Sequence, residues 1–361
     1  MNPKPKIVIV TISLENGGLE RFVINLSKML TNQGYQVHIV TLVNKIDFEY
    51  EGEILNLGLI KDKQDTFLGK FKRLLIFKNY LKQHDFKTII DVRTRHSLWV
   101  EFFFKWGVYP FRNVVYMVHS AKIDNYLLKN KWYSKLIFGG SKAIVSVSKS
   151  ISFRVSNAYK LKNICIYNPI DFSLLEKYAN ATQIHEKFIL SYGRIDNEVK
   201  NFDLLIKAYL KSVLKDNGVK LFIIGEGKDK PLLIEKVKKL EASEMIVFKD
   251  KMLNPFPYVK QAIFTVLSSR YEGFPSVLVE SLGLGVPVVS VDCESGPAEI
   301  IKSNCNGLLV ANHDEKLLAN AMNMMFLDSE LYTSCKRNAK ASVQHLSFEA
   351  IGTEWIRIIE N

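Results

Sequence analysis

Cysteine is scarce: Cys165, Cys293, Cys305 and Cys335 are the four in 361 residues. No C-x-x-C pair occurs among them, which excludes the common zinc and redox motifs. A disulfide framework is not expected in a chain of this size, so the cysteines point to a reducing, cytoplasmic setting. The 10 prolines and 19 glycines are too few for a fibrous or low-complexity chain. Long apolar runs are also missing. The strongest stretch, Leu98 to Phe111, is shorter than the ~18 residues of a membrane span and is interrupted by Glu101 and Lys105. The opening MNPKPKIVIVTIS holds an apolar run suited to a buried strand and lacks the h-region of a signal peptide. Acid is short relative to base: 37 Asp and Glu stand against 49 Lys and Arg, a formal +12. Such an excess implies an anionic partner. It concentrates between Glu101 and Lys162, where eleven Lys or Arg face only Glu101 and Asp124.

What is present is an alternation of apolar runs and helical patterns. Lys6 to Ser13 is a continuous β-branched run, as expected for a strand buried on both faces of a parallel sheet. Asn16-Gly17-Gly18 breaks it, and Phe22, Val23, Leu26, Met29 and Leu30 then fall on one helical face. Further strands are expected at 36–43, 88–92, 113–118 and 143–147, with helices at 68–83, 98–106 and 131–138. Tyr167 to Asp171 ends the pattern. A second set follows, with strands at 188–192, 219–224, 245–248, 264–267 and 287–291. Its helices are expected at 203–215, 230–240, 257–261, 276–284 and 298–302, and 314–361 reads as helical. Repeated βαβ crossovers give an α/β chain with two doubly wound parallel sheets. The expected domains are 1–168, 169–344 and a final segment 345–361. In such a pair the carboxyl ends of the strands can face each other across a central cleft.

Five stretches offer chemistry. Ser268 to Glu280, SSRYEGFPSVLVE, places Glu272 and Glu280 on either side of a Gly273-Phe274-Pro275 turn. A helix starting at Ser276 would offer the first-turn amides of Ser276, Val277 and Leu278 to a phosphate. One carboxylate could bind sugar hydroxyls and the other ribose hydroxyls. The blander alternative makes Glu272 a helix cap and Glu280 a solvated residue. In Ser191 to Phe202, Arg194 and Lys200 could neutralise a leaving diphosphate without a metal, or be two surface cations. Gly17-Gly18, between strand and helix, would let a ligand approach backbone or simply form a tight turn; this is no G-x-G-x-x-G fingerprint. His119 ends a strand at a common catalytic position, and is equally compatible with a structural role. The remaining histidines show no metal-ligand spacing. The fifth, Glu294 to Ile300, starts a helix at Pro297 and reads either as a donor-facing loop or as an N-cap box.

Taken in order, these stretches resemble glycosyltransferase family 4, the retaining GT-B enzymes of bacterial surface-glycan synthesis. The resemblance runs through Gly17-Gly18 with Glu20-Arg21, His119, Asn168-Pro169-Ile170-Asp171, Gly193-Arg194, Lys200-Asn201, Gly225-Glu226-Gly227, Glu272-Gly273-Phe274-Pro275 to Glu280, and Gly296-Pro297 with Glu299. It implies that Arg194 and Lys200 bind the donor diphosphate and that Glu280 holds the ribose. Glu272, with the amides at Phe274 and Ser276, would hold the donor sugar. His119 would contact that sugar or stabilise charge near its anomeric carbon. Gly17 and Gly18 would admit the diphosphate to the first domain. The base would lie against backbone near 248–253, and the last helix, 348–359, would return to the first domain.

The implied reaction transfers a hexose or N-acetylhexosamine, with retention, from a nucleotide diphosphate sugar to a glycan or lipid-linked acceptor. UDP is the expected nucleotide, and lipopolysaccharide, capsule or O-antigen synthesis the expected setting. Neither metal nor cofactor is expected. Aromatics mixed with Lys and Arg at 102–112 and 130–138 suit an anionic membrane surface, so peripheral attachment at the inner face of the cytoplasmic membrane is expected. Nucleic acid is not expected as a partner. The alternative function is a nucleotide-sugar 2-epimerase of the same architecture.

Overall fold

The structure, a computed structural model, describes residues 4–15, 17–63, 66–110, 112–180 and 183–361. It divides into two compact units, Met1–Pro169 with Phe348–Asn361 and Ile170–Ser347.

The first unit is built on seven parallel strands: β1 (Lys6–Thr11), β2 (Gln36–Thr41), β3 (Glu53–Asn56), β4 (Thr88–Asp91), β5 (Val114–Val118), β6 (Ala143–Ser146) and β7 (Ile164–Cys165). Their order is β3-β2-β1-β4-β5-β6-β7. The order reverses between β1 and β4, where an open α/β sheet splays its loops. Ile7, Val8, Ile9 and Val10 are fully buried, because helices cover both faces and leave no polar side to the strand. Helix Gly18–Asn32 buries Phe22, Val23, Leu26, Met29 and Leu30. The chain then turns at Gly34, whose φ of 87° lies in the left-handed region that glycine tolerates. Helix Phe348–Glu360 belongs to this unit and buries Ile351, Trp355 and Ile359. Its end is fixed by the Tyr35 hydroxyl, 2.5 Å from Glu360 Oε1.

The second unit holds six parallel strands: β8 (Phe188–Tyr192), β9 (Lys220–Ile224), β10 (Ile246–Lys249), β11 (Thr265–Leu267), β12 (Val288–Asp292) and β13 (Gly307–Ala311). Their order is β10-β9-β8-β11-β12-β13, with the reversal between β8 and β11. Its core joins Leu205, Tyr209, Leu221, Ile223, Phe264 and Met322.

Most expected elements are present, with boundary shifts of a few residues. Several were not anticipated: the edge strands β3, β7 and β13, and helices Gly58–Lys63, Lys149–Arg154 and Phe172–Ala179. All are short, so hydrophobic periodicity has little length in which to register. The 314–361 region is three helices, Glu315–Leu327, Ser329–Val343 and Phe348–Glu360. Asp314 and Asp328 cap the first two through their side chains, which is how a continuous helical pattern is cut into pieces.

Candidate functional site

In the second unit the site begins with the loop after β8. Gly193 has a φ of 136°, and its amide donates to the Ile224 carbonyl at 3.0 Å. The Ile195 amide donates to the Glu226 carbonyl at 2.7 Å. These bonds pull the Arg194 loop tightly against Gly225-Glu226-Gly227. A Cβ on Gly225 would lie 1.9 Å from the Gly193 carbonyl oxygen, and one on Gly227 2.0 Å from that of Ile195. Both glycines therefore serve close backbone packing. Arg194 itself is 67% exposed, with its nearest acid, Asp196, at 3.7 Å.

Short helix Asn197–Lys200 follows and ends at Asn201, which is left-handed with a φ of 51°. That break aims Lys200 at the loop after β11. Lys200 Nζ donates to Glu272 Oε1 at 2.6 Å, and the Ser269 hydroxyl donates to the same oxygen at 2.6 Å. The two loops are also stitched by backbone: the Arg270 amide donates to the Val199 carbonyl at 2.8 Å, and the Ser268 hydroxyl to the Lys200 carbonyl at 2.9 Å. A cation and a carboxylate from loops 72 residues apart thus share a mostly buried spot, where a charge-assisted bond is strong.

Helix Ser276–Gly283 starts after Pro275 and has no side-chain cap, so Glu272 is not its cap. Phe274 is buried just before it. The expectation of three free first-turn amides is corrected at Leu278, whose amide donates to the Pro275 carbonyl at 3.1 Å. Ser276 and Val277 occupy the two positions whose amides have no intrahelical acceptor. Glu280 is 1% exposed rather than solvated. The Tyr192 hydroxyl lies 2.7 Å from Glu280 Oε2 and 3.1 Å from the Val277 carbonyl. It fixes the carboxylate from the end of β8.

The loop after β12 braces this turn. The Glu272 amide donates to the Glu294 carbonyl at 3.1 Å, and the Ser295 hydroxyl to the Gly273 carbonyl at 2.8 Å. Ser295 and Gly296 are both left-handed, at φ 70° and 101°. A Cβ on Gly296 would stand 2.4 Å from Pro275 Cδ. A non-glycine residue held in this region stores strain, which concentrates at functional loops. Cys293 lies beside it, and burial, with nearby Glu272 adding, pushes its thiol well above the usual range; it remains a protonated thiol. Sequence reasoning missed Tyr192, Ser269 and Ser295. A hydroxyl at the carboxyl end of β8 was the available signal for Tyr192, and the other two carry none.

In the first unit, Gly17 is the N-cap of helix Gly18–Asn32, extended at φ −135° and without a side-chain cap. A Cβ at Gly18 would meet nothing within 4 Å, so this position faces open space. Neighbouring Asn16 lies outside the described residues. His119 follows β5, its ring edge-on to Phe22 with centroids 4.4 Å apart. Its Nε2 is sealed from solvent and has no hydrogen-bond partner. Burial, with Arg95 adding, pushes its pKa down to about 3, so the imidazole is neutral near pH 7. In that neutral state His119 carries no positive charge of its own.

The same unit holds an ion cluster that sequence reasoning missed. Arg93 Nη2 donates to Asp91 Oδ2 at 2.7 Å and to Glu101 Oε2 at 3.2 Å. Arg95 donates to the carbonyls of Asp91 (2.6 Å), Met117 (3.2 Å) and Tyr126 (3.0 Å). All four charged residues are buried. Burial alone would raise the Asp91 carboxyl, but Arg93 and Arg95 outweigh it and hold it below the usual range. Arg95 ties β4, β5 and the loop before Leu127 together.

Two family descriptions match the chain. "Glycosyltransferase Family 4" covers residues 16–174, and "Glycosyl transferases group 1" covers 176–342. A Campylobacter jejuni protein, N-acetylgalactosamine-N,N'-diacetylbacillosaminyl-diphospho-undecaprenol 4-alpha-N-acetylgalactosaminyltransferase, is 30% identical over 349 residues, spanning 93% of this chain and 94% of its own length. Among solved structures, Staphylococcus aureus TarM in complex with fondaparinux, alpha-GlcNAc-glycerol and UDP superposes with a TM-score of 0.78 at 16% identity, covering 99% of this chain and all of that one. Anabaena HepE in complex with UDP-glucose gives 0.78 at 17%, with 99% and 100% covered. These likenesses show a shared fold, the GT-B arrangement of two Rossmann-like domains.

Proposed function

The chain belongs to glycosyltransferase family 4, and from that premise we propose that it moves a hexose or N-acetylhexosamine, with retention, from a UDP-sugar to a glycan or lipid-linked acceptor. The observation that carries the site assignment is the Lys200–Glu272 pair, set immediately before the uncapped helix start at Ser276. A leaving diphosphate needs cations and amide donors where its charge grows. Lys200, Arg194 and the amides of Ser276 and Val277 supply them. Glu272 would then hold sugar hydroxyls and orient the anomeric carbon. Glu280, fixed by Tyr192, would accept from the ribose. With phosphate charge met by Arg and Lys, the reaction needs no divalent metal on this reading. Orientation and charge stabilisation supply the rate, and the departing phosphate takes the acceptor proton.

Support for the donor comes from the UDP and UDP-glucose held by the structural relatives. Support for a lipid-linked acceptor comes from the undecaprenol diphosphate substrate and α linkage in the Campylobacter relative's name. An α product from an α-linked nucleotide sugar is retention. On this reading the chain works in bacterial surface-glycan synthesis, at the inner face of the cytoplasmic membrane.

Contact with that membrane is part of the proposal. No helix among the described residues is long and apolar enough to cross a membrane. Helix Leu98–Phe103 packs beside helix Lys131–Phe138. Trp99 and Trp132 on these helices are 79% and 66% exposed, with Phe102, Trp106 and Leu136 also out in solvent. Lys129, Lys131 and Lys135 flank them. Exposed aromatics ringed by lysines suit an anionic lipid interface.

The test is a thermal-shift screen of nucleotide sugars, followed by incubation of the best ligand with undecaprenol-diphosphate oligosaccharides. Stabilisation by a UDP-sugar and transfer with an α linkage are expected. Conversion of the sugar nucleotide without any acceptor would instead mark an epimerase; the relatives named above are described as a transferase or by their ligands, and no observation favours that alternative.

A further inference from the structure

A second cluster of polar side chains lies in the first unit, toward the amino ends of its strands. This is the side away from the loops that bear Gly17, Gly18 and His119. His38 on β2 and Glu53 on β3 are direct register partners, so both side chains project from the same face of the sheet. The helix Phe67–His84 lays Tyr80 and His84 over that face, one turn apart. Four side chains from three elements therefore converge, although residues 38, 53 and 84 show no metal-ligand spacing along the chain.

One of the distances matches that between two ligands of a single cation. His38 Nδ1 stands 3.5 Å from Glu53 Oε2, about the separation of two donors on one tetrahedral ion with bonds near ~2.0–2.1 Å. One ligand atom from each of His38, Glu53 and His84 lies within 4.8 Å of the others. The His38 and His84 rings approach to 4.8 Å between centroids. The Tyr80 hydroxyl sits 2.6 Å from His38 Nδ1, at the nitrogen a metal would take. His84 is the last helical residue, next to left-handed Asp85; its ligand atom would have to draw in from within 4.8 Å to the ~3.3–3.4 Å of a shared ion.

We propose that His38, Glu53 and His84 form a binding site for a borderline divalent cation, Zn²⁺ being the natural occupant. Two imidazoles and one carboxylate are a zinc donor set, and water or the displaced Tyr80 hydroxyl completes it. Such an ion would clip the four-residue edge strand β3 to the helix that covers it. The site stands apart from the donor-binding residues and does not depend on the proposed reaction.

The test is equilibrium dialysis of the untagged full chain against zinc chloride, with melting curves run in parallel. One zinc per chain and a higher melting temperature in its presence are expected. His84→Ala and Glu53→Ala should each weaken binding by more than about tenfold, since loss of a ligand exceeds the ~10-fold minimum typical of outer-shell changes. Both residues are at least partly exposed, and the Glu53 side chain is 70% exposed, so these variants should fold. His96→Ala, at an exposed position, should bind as the wild type does. Absence of zinc binding, or equal affinity in the wild type and both ligand variants, would overturn the site.

Discussion

Lys200 and Glu272 meet at 2.6 Å with side chains 21% and 11% exposed, so each is the other's main electrostatic partner. Lys200→Ala leaves a largely buried carboxylate without its cation and, on the proposed function, removes a donor to the leaving phosphate. Turnover should fall by about 10²–10³, the usual cost of losing one charge-stabilising donor. The melting temperature should move by only a few degrees, since the pair is not fully desolvated. Steady-state kinetics alongside calorimetry checks both halves. Near-normal turnover in Lys200→Ala would remove it from the site.

Gly225 and Gly18 should respond in opposite ways to the same methyl group. At Gly225 the new Cβ would strike the Gly193 carbonyl oxygen at 1.9 Å, so Gly225→Ala should destabilise by about 1–3 kcal/mol and disturb the Arg194 loop. At Gly18 nothing lies within 4 Å, and φ is not positive. Gly18→Ala should therefore stabilise helix Gly18–Asn32 by up to about 1 kcal/mol. If Gly18 admits a ligand to its backbone, that same variant loses activity while gaining stability. Denaturant titration with an activity assay reads this split.

His119 has a folded pKa of about 3 against an ordinary value near 6.5. Below pH 6.5 the unfolded chain takes up a proton that the folded chain refuses. The stability linked to His119 is thus fully present above pH 6.5 and is lost as pH falls toward 3. Urea unfolding from pH 7 to 4 should show a shallower pH dependence in His119→Asn than in the wild type. The pH–rate profile should carry no inflection near 6.5 from this residue.

The Asp91–Arg93–Arg95–Glu101 cluster is another place where a single change should be costly. Asp91→Asn leaves two buried guanidinium groups facing one carboxylate. Breaking a buried pair in this way costs about 3–5 kcal/mol. Trp99→Ala and Trp132→Ala sit at the other extreme: both side chains are largely exposed, so melting should be unchanged. Flotation with anionic vesicles should nevertheless drop. Loss of stability without loss of flotation in the tryptophan variants would count against the membrane surface.

How much of this was legible in the sequence varies from residue to residue. The strands of Lys6–Thr11 and Val288–Asp292 were readable because burial on both faces makes them apolar throughout. The start at Ser276 was readable from the Gly273-Phe274-Pro275 turn. Glu280 was not readable as buried, since a glutamate inside a helix is ordinarily solvated; Tyr192 decides its environment from 88 residues away. Arg93, Arg95 and Glu101 defeat local reading for the same reason. Charges of both signs in D-V-R-T-R-H-S-L-W-V-E read as ordinary exposed charges until tertiary structure pairs them. The neutral state of His119 likewise depends on Phe22 and Arg95, neither of which adjoins it in sequence.

The most direct test is a crystal structure of this chain with a UDP-sugar bound. The account predicts the diphosphate within hydrogen-bonding distance of Lys200 and Arg194 and of the Ser276 and Val277 amides, with the ribose on Glu280. A diphosphate seated elsewhere, with Lys200 still closed on Glu272 and no ligand beside it, would contradict it.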